Sequence, residues 1–350
     1  FRSNGKMIKI IESFLFSSQI TSITNNLWGV ALKRGGLSQT MFMPLNHDAL
    51  VVELGAVSEF ELVLDVKISE DNRVWGREYE VFAEDKTIVV KFSKKNDGRD
   101  DNSVHHDEFE VYLALHSSEL EYLPLQVWEE HFYKLDEARN SQPFSRWVFK
   151  ACRVRAKDFA CAWSSSKSDA IAVAHDVFES RDRLRREREN YVHSLISGAV
   201  KIPDEEVFLA KQCAINALDC LVLNDSFIIA GLPWFHQRWA RDELVSVKFL
   251  MLLKNFELAK KILFGYLPLI NNEGLLPNVC DSETSLLAVD AVGWLFFRAD
   301  GLDQDPVVAP LLFRAVVALE RDFGLVPPHL ERGDRRLGAD LHALLAERLG

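Results

Sequence analysis

Hydrophobic and polar residues alternate along much of the first half of the chain, from about residue 27 to residue 177. Apolar side chains at every second position are typical of a strand with one buried face. Polar clusters at 69–72 and 94–103 separate the alternating runs. The predicted strand runs are residues 50–54, 59–68, 78–82, 87–92, 109–115 and 147–154. The pattern predicts antiparallel sheets arranged as a β-sandwich.

Helical periodicity replaces this alternation after Glu179, where a highly charged stretch leads into residues 191–196. Residues 243–254 are apolar nearly all round, which predicts a buried helix, whereas residues 256–267 keep Lys260 and Lys261 together on a polar face, as an outer helix does. We therefore predict two domains: a β-sandwich-like domain over 1–180 and a helical domain over 181–350.

An apolar inner helix joined tightly to an amphipathic outer helix is the repeating unit of an α/α toroid. Residues 204–350 have room for roughly three such hairpins, which predicts part of a toroid. The stretch 301–350 differs in composition, because it contains no Lys, Ile, Asn, Ser, Thr, Tyr or Trp. A truncated or joined sequence is one explanation.

Composition excludes several classes of function. The net charge of -11 argues against a nucleic-acid partner. No apolar run reaches the length of a membrane span, and polar residues interrupt the stretch 8–20, which makes it a poor secretory signal. We expect no membrane association and a cytoplasmic location.

The cysteines and histidines give no metal-site pattern. The five cysteines are widely scattered without CxxC spacing, so we expect neither a disulfide framework nor a zinc site. The doublet His105-His106 follows a charged loop, and we interpret it as solvated. We expect no metal and no cofactor.

Candidate chemistry is concentrated just ahead of the buried helix, in Trp234, Phe235, Trp239, Arg241 and Asp242. Aromatic faces can cover the apolar face of a pyranose ring, while a carboxylate and a guanidinium can each hold a pair of sugar hydroxyls. The alternative is that the aromatic side chains belong to the core and that the acid favours the positive end of the helix. The pattern indicates a sugar pocket under the first interpretation.

The motifs around these residues resemble a known enzyme family. AGLPWF at 230–235 with WARD at 239–242, followed by GLLPN at 274–278 and AVDAVGWLFF at 288–297, is similar to the catalytic domain of amylo-α-1,6-glucosidases, the glycogen-debranching glycoside hydrolases. The resemblance implies an (α/α)6 barrel that releases glucose from α-1,6 branches of glycogen or a related α-glucan. It also implies hydrolysis with inversion by a general acid and a general base.

The resemblance implies roles for Arg241 and Asp242, although the sequence departs from the family motif at two neighbouring positions. Arg241 and Asp242 match the WGRD motif of the family, which implies hydrogen bonds to the terminal glucose. Ala240 stands where Gly is usual, and Glu243 stands where Thr is usual. The extra charge of Glu243 either alters the pocket or favours the start of the helix.

Asp290 is the sole ionisable residue of the apolar stretch 286–297. A carboxylate in such surroundings is costly unless it is paired or used. It matches the Asp of the family's ADxxxW helix, with Trp294 one turn further on the same face. We weigh pocket lining against a structural ion pair, with Arg241 as the candidate partner.

The catalytic acid and base stay unassigned. The family's acid lies in a TWMD-like motif that this sequence lacks, and Glu331 and Asp334 are weak candidates in the corresponding region. The base lies in the second half of the family's barrel, so we expect this chain alone to be inactive in debranching.

Two other functions are compatible with these motifs. A toroid hydrolase of the glucoamylase or trehalase type would act on α-1,4 or α,α-1,1 links. A non-catalytic protein would bind α-glucan without cleaving it.

Overall fold

A computed structural model describes residues 2–3, 6–68, 75–96, 108–197, 202–232, 235–271, 274–280 and 286–300. The chain divides into two compact units, Phe1–Asn216 and Ala217–Gly350. The predicted domain boundary near residue 180 stays a prediction. None of the helices in these described ranges has the length and apolar character needed to cross a membrane.

The first unit is built on a large antiparallel sheet. Its strands are β1 (Arg2–Ser3), β2 (Lys6–Phe16), β3 (Ile20–Asn25), β4 (Val30–Arg34), β5 (Leu37–Phe42), β6 (Ala49–Ile68), β7 (Arg77–Glu84), β8 (Thr87–Lys94), β9 (Phe109–His116), β10 (Glu121–Phe132) and β11 (Ser145–Ser164). The main path of neighbours runs β3-β4-β5-β6-β11-β9-β8-β7. All the predicted strand runs lie within these strands, so that part of the sequence interpretation is confirmed.

The long strands β6 and β11 form the spine of this sheet. They pair with each other over both halves of their length. The other edge of β6 pairs with β5 and, further along, with β2, while the other edge of β11 pairs with β10 and then with β9. Register shifts interrupt the β6–β11 ladder at two points, and such irregularities bend a sheet.

The apolar faces of these strands meet in an aromatic core. Phe60 and Phe159 are buried and stacked, with ring centroids 4.8 Å apart. Tyr79 of β7 stacks on Phe149 of β11 at 4.3 Å, although β8 and β9 lie between their strands in the hydrogen-bonded order. The sheet therefore curls until its β7 edge contacts the interior strand β11 through side chains.

Helices complete the first unit: α1 (Lys134–Ala138), α2 (Lys167–Glu179), α3 (Arg181–Ser197) and α4 (Glu205–Leu221), whose last turn enters the second unit. The prediction that strand periodicity extends to residue 177 is wrong, because α2 occupies 167–179. Its apolar face is narrow, and half of its buried residues are alanine, with Ala170, Ala174, Val177 and Phe178 buried. This spacing of four, three and one follows the helical repeat.

Where it is described, the second unit contains these α-helices and short strands after α4, together with a 3-10 helix: β12 (Val222–Leu223), β13 (Phe227–Ile228), α5 (Ala240–Leu252), α6 (Phe256–Tyr266), a 3-10 helix (Leu267–Leu269), β14 (Leu276–Pro277), β15 (Leu287–Ala288) and α7 (Val289–Asp300). The predicted helices near 243–254 and 256–267 are both present. Lys261 is exposed and Lys260 half-buried, as expected for an amphipathic helix.

The prediction that the helix over residues 243–254 is buried is correct for one of its sides only. One side of α5 packs on α6 and α7 through Leu244, Val247 and Leu250. Among the described residues, Leu252 on the other side remains 67% exposed, and Val245 is exposed as well. A helix with neighbours on one side buries one stripe, whatever the hydrophobicity of its remaining surface.

We predict that Phe60→Ala will lower the free energy of unfolding by about 3–5 kcal/mol, because it removes a ring from the closed aromatic core. The measurement is urea unfolding followed by far-ultraviolet circular dichroism. Phe132→Ala, the same substitution at an exposed position on β10, is the control and should cost about 1 kcal/mol or less. Equal losses for the two variants would contradict the core assignment.

Candidate functional site

The aromatic motif folds back on itself ahead of α5. Gly231 N donates to Phe235 O at 2.7 Å, and Ala230 N donates to Gln237 O at 3.2 Å. Phe235 is 57% exposed. Its ring meets the half-buried ring of Trp239 edge to face, with centroids 6.3 Å apart. These two rings thus lie together, while Trp234 lies outside the described residues.

Backbone hydrogen bonds join the segment around the WARD motif at 239–242 to the GLLPN segment at 274–280, which is distant in sequence. Ala240 N donates to Asn278 O at 3.0 Å, and Cys280 N donates to Arg238 O at 2.9 Å. Asn278 N in turn donates to Leu286 O at 2.6 Å, beside the β14–β15 pair. The WARD and GLLPN motifs therefore lie side by side, next to the start of α7.

Arg241 and Asp290 form a two-pronged ion pair. Arg241 Nε lies 2.6 Å from Asp290 Oδ2, and Arg241 Nη2 donates to Asp290 Oδ1 at 3.0 Å. The pair joins the first turn of α5 to the first turn of α7. The side chains are 58% and 44% exposed, respectively. The hydrogen bond to Asp290 raises the pKa of Arg241.

Asp242 follows Arg241 in the first turn of α5, and its side chain is exposed. An acid at this position is stabilised by the unpaired N–H groups of the helix start. The same exposure makes its carboxylate accessible to a ligand. Geometry is compatible with both interpretations, and the sugar-binding role stays a prediction.

Trp294 has a packing role. It is half-buried, and the guanidinium of Arg298 lies over its ring at 5.0 Å. Arg298 is buried and donates from Nε to Leu244 O at 3.2 Å. The Trp294 ring thus supports the side chain that joins α7 to α5. A direct contact of Trp294 with substrate stays a prediction.

A buried charge cluster, which no sequence pattern predicts, is centred on Glu243 in the first turn of α5. Glu243 has no exposed surface, and its carboxylate accepts hydrogen bonds from Arg238 Nε at 2.9 Å, from the Tyr266 hydroxyl at 2.6 Å and from Ile228 N at 2.8 Å. Cys280 Sγ lies 3.4 Å from the same hydroxyl. Glu243 therefore joins β13, α5, α6 and the loop between β13 and α5, which we call the motif loop.

Burial and charge act in opposite directions within this cluster. Burial raises the pKa of Glu243, against the influence of Arg238 and of the hydrogen bonds from Tyr266 and Ile228. Burial alone would lower the pKa of Arg238, but Glu243 raises it overall. Burial and Glu243 also raise the pKa of the Tyr266 phenol. The Tyr266 hydroxyl therefore keeps its proton and donates a hydrogen bond to Glu243.

Glu331 and Asp334, the weak candidates for the catalytic acid, lie outside the described residues. In the described part of the site, the side-chain carboxylates are those of Asp242, Glu243 and Asp290. Arg238 pairs with Glu243 and Arg241 pairs with Asp290. The general acid and base are therefore still unassigned.

Comparisons with known proteins point to glycoside hydrolases. Residues 214–299 match the family model described as amylo-alpha-1,6-glucosidase, which confirms the resemblance carried by the motifs. A solved structure of a bacterial glucoamylase complexed with acarbose is similar in fold, with a TM-score of 0.53 and 15% sequence identity. The similarity covers 89% of this chain and 52% of the glucoamylase chain, so this chain spans about half the length of that enzyme. No curated protein matches the sequence.

We predict that Glu243→Gln will lower the free energy of unfolding by about 3 kcal/mol or more, because it leaves the charge of Arg238 buried without its partner. Chemical denaturation at pH 7 measures this loss. Asp242→Asn, on the exposed neighbour in the same helical turn, is the matched control and should stay within about 0.5 kcal/mol. A loss below about 1 kcal/mol for Glu243→Gln would mean that the carboxyl group is already neutral in the folded protein.

Proposed function

We propose that this chain is part of a glycoside hydrolase that releases glucose from α-1,6 branches of glycogen or a related α-glucan. In this proposal, Arg241, Asp242 and Asp290 hydrogen-bond the terminal glucose, and Trp239 and Phe235 stack on it together with Trp234. The large sheet is a β-sandwich, and the helices after it begin an (α/α)6 toroid. The similarity of fold to glucoamylase supports this architecture.

The observation that carries the proposal is the pairing of Arg241 with Asp290. The two residues are 49 positions apart, and both lie in motifs shared with the matching family. An ion pair this exposed contributes little to stability, since water screens it. Its fixed fork of donors and acceptors is instead suited to two neighbouring sugar hydroxyls, and Asp242 adds a second accessible carboxylate in the next position.

The linkage is proposed from the family match, because residues 214–299 contain each of these polar groups and the match is to an α-1,6-glucosidase. The glucoamylase bound acarbose at its own site, which supports a sugar-like ligand here. An inverting hydrolase also needs two carboxyl groups about 6.5–9.5 Å apart across the scissile bond. Glu331 and Asp334 remain the candidates for the acid.

The cytoplasm is the proposed location. The five cysteines are free thiols, and Cys213 and Cys220 are exposed. Exposed free thiols persist in a reducing compartment, whereas secreted proteins more often carry disulfides. The proposal needs neither a nucleic-acid nor a membrane partner, in keeping with the net charge of -11.

We predict that Asp242→Asn will weaken binding of isomaltose, an α-1,6-linked glucose disaccharide, by about 30-fold, which corresponds to about 2 kcal/mol for a lost charged hydrogen bond. Arg241→Gln should weaken it similarly. Isothermal titration of residues 1–350 measures the affinity. Glu257→Gln on α6, where the acid is 91% exposed, is the control. Wild-type affinity in both Asp242→Asn and Arg241→Gln would contradict the proposed subsite.

The linkage and the chemistry are tested by a substrate panel. Glucose release is measured from a branched limit dextrin, from linear maltodextrin and from trehalose. Preference for limit dextrin supports the debranching proposal, and preference for either other substrate favours the glucoamylase or trehalase type. Because this chain alone is expected to be inactive, the panel is run on a complete protein that contains it, and binding without release by that protein favours a glucan-binding role. In a complete enzyme, Asp242→Asn should lower kcat/KM by the same factor of about 30.

A further inference from the structure

Three potential metal ligands meet on the first unit, outside the carbohydrate site. They are His116 at the end of β9, and His175 and Glu179 on α2. Their potential ligand atoms all lie within 4.8 Å of one another. His116 is buried, whereas His175 and Glu179 are exposed. His175 and Glu179 are one helical turn apart, so they face the same direction on α2.

The buried histidine is held in a fixed orientation. Thr87 and His116 are directly opposite each other in the β8–β9 ladder, and Thr87 Oγ1 lies 2.8 Å from His116 Nδ1. The ring also packs edge to face on Phe178, at 5.3 Å between centroids. With Nδ1 occupied by Thr87, Nε2 is the nitrogen available to a metal.

The exposed histidine has a similar arrangement. His175 Nδ1 lies 3.3 Å from Asp176 Oδ1, and its ring centroid is 5.0 Å from that of His116. A hydrogen bond from one ring nitrogen to a carboxylate is the usual partner of a metal-binding histidine, because it fixes the tautomer and makes the other nitrogen a better ligand. Each histidine therefore has one nitrogen engaged and one available.

The spacing is close to that of a bound zinc ion. Zinc bonds of 2.0–2.2 Å in a tetrahedron place ligand atoms about 3.3–3.5 Å apart. The potential ligand atoms of His116, His175 and Glu179 all lie within 4.8 Å of one another, a limit little more than an ångström above the spacing around zinc. His175 and Glu179 are exposed and can rotate to close it, while Ala170, Ala174 and Phe178 hold the helix itself against the sheet.

An open cavity of about 840 Å³ adjoins the cluster, and Thr87, His116 and His175 are among its lining residues. Water can therefore reach a metal held there and fill a fourth position. Three protein ligands with one open position is the arrangement of zinc sites that exchange a ligand. The nitrogen-rich donor set favours Zn²⁺ over Ca²⁺ or Mg²⁺, which prefer oxygen alone.

We propose that His116, His175 and Glu179 form a Zn²⁺ site that ties α2 to the end of β9. The expectation of no metal rested on the scattered cysteines and on the His105-His106 doublet. No sequence pattern indicates the present site, because its ligands are far apart in sequence and follow no spacing motif. It is independent of the proposed glycosidase function, since none of its residues belongs to the second unit.

The test is metal binding by the full chain after removal of metal with a chelator. Zn²⁺ is titrated calorimetrically, and Co²⁺ is added as a spectroscopic probe whose visible absorption reports a tetrahedral nitrogen and oxygen site. We expect one equivalent bound in the wild-type protein. His175→Ala should abolish that equivalent, and Glu179→Gln should weaken it at least tenfold. Thr87→Val should weaken it 10–100-fold through loss of the orienting hydrogen bond.

His193→Ala, on an exposed histidine of α3, is the matched control and should bind as the wild type does. Because His175 is exposed, its substitution leaves the fold intact, which circular dichroism verifies. Zinc bound by the exposed thiols of Cys213 and Cys220 would also bind to His175→Ala. The amount that this variant binds is therefore subtracted from the wild-type value. Equal stoichiometry and affinity in the wild-type protein and His175→Ala would overturn the proposal. A rise in Tm with Zn²⁺ in the wild-type protein that is absent in His175→Ala would support it.

Discussion

The candidate carbohydrate site depends on the hydrogen bonds that the buried carboxylate of Glu243 accepts. This carboxylate accepts hydrogen bonds from Ile228 before the motif loop, from Arg238 within the loop and from Tyr266 at the end of α6. These hydrogen bonds hold the chain on both sides of Phe235, whose side chain is 57% exposed. The position of Arg241 follows from this anchor, since it lies two residues before Glu243 in the same helical turn.

A buried ion pair is a costly way to fasten a loop. Desolvation of both charges consumes most of their mutual attraction, so an apolar replacement often stabilises as well. What the pair supplies is a defined geometry: each of the three donors has one acceptor, and a shifted loop would leave a charge unpaired. The guanidinium of Arg238 also lies 5.2 Å from the ring of Phe227 and 5.3 Å from that of Tyr266, so aromatic faces cover the part of its charge that Glu243 does not contact.

The sequence predicts local elements well where one physical pattern dominates. In β7, exposed Glu78 and Glu80 alternate with half-buried Tyr79 and Val81, and α6 has a clear apolar stripe, so the sequence predicts both elements. The strand β2 and the helix α2 were missed for different reasons. In β2, Glu12 interrupts the apolar run, while its carboxylate accepts a hydrogen bond from the distant Tyr133. In α2, two of the four buried residues are alanine, which carries a weak hydrophobic signal.

Some residues of the candidate site can likewise be predicted from the sequence, and others cannot. Arg241 and Asp290 were recognisable, because a lone acid in an apolar helix requires a partner and the neighbouring motif supplies an arginine. The role of Glu243 was not, since an acid in a first helical turn is explained by the helix alone. Its partners lie 5, 15 and 23 positions away in three different elements. No periodicity links such residues, and tertiary structure alone brings them together.

Two neighbouring pairs of opposite charge thus serve different ends at the start of α5. The inner pair, Arg238 with Glu243, is largely buried, because the Glu243 side chain has no exposed surface and that of Arg238 is 17% exposed. The outer pair, Arg241 with Asp290, is open to water, which competes for the same hydrogen bonds and lowers the free energy needed to separate them. A sugar hydroxyl can replace water there as both donor and acceptor. In the proposed subsite, the buried inner pair would hold the start of α5 in place while a sugar hydroxyl replaces water at the outer pair.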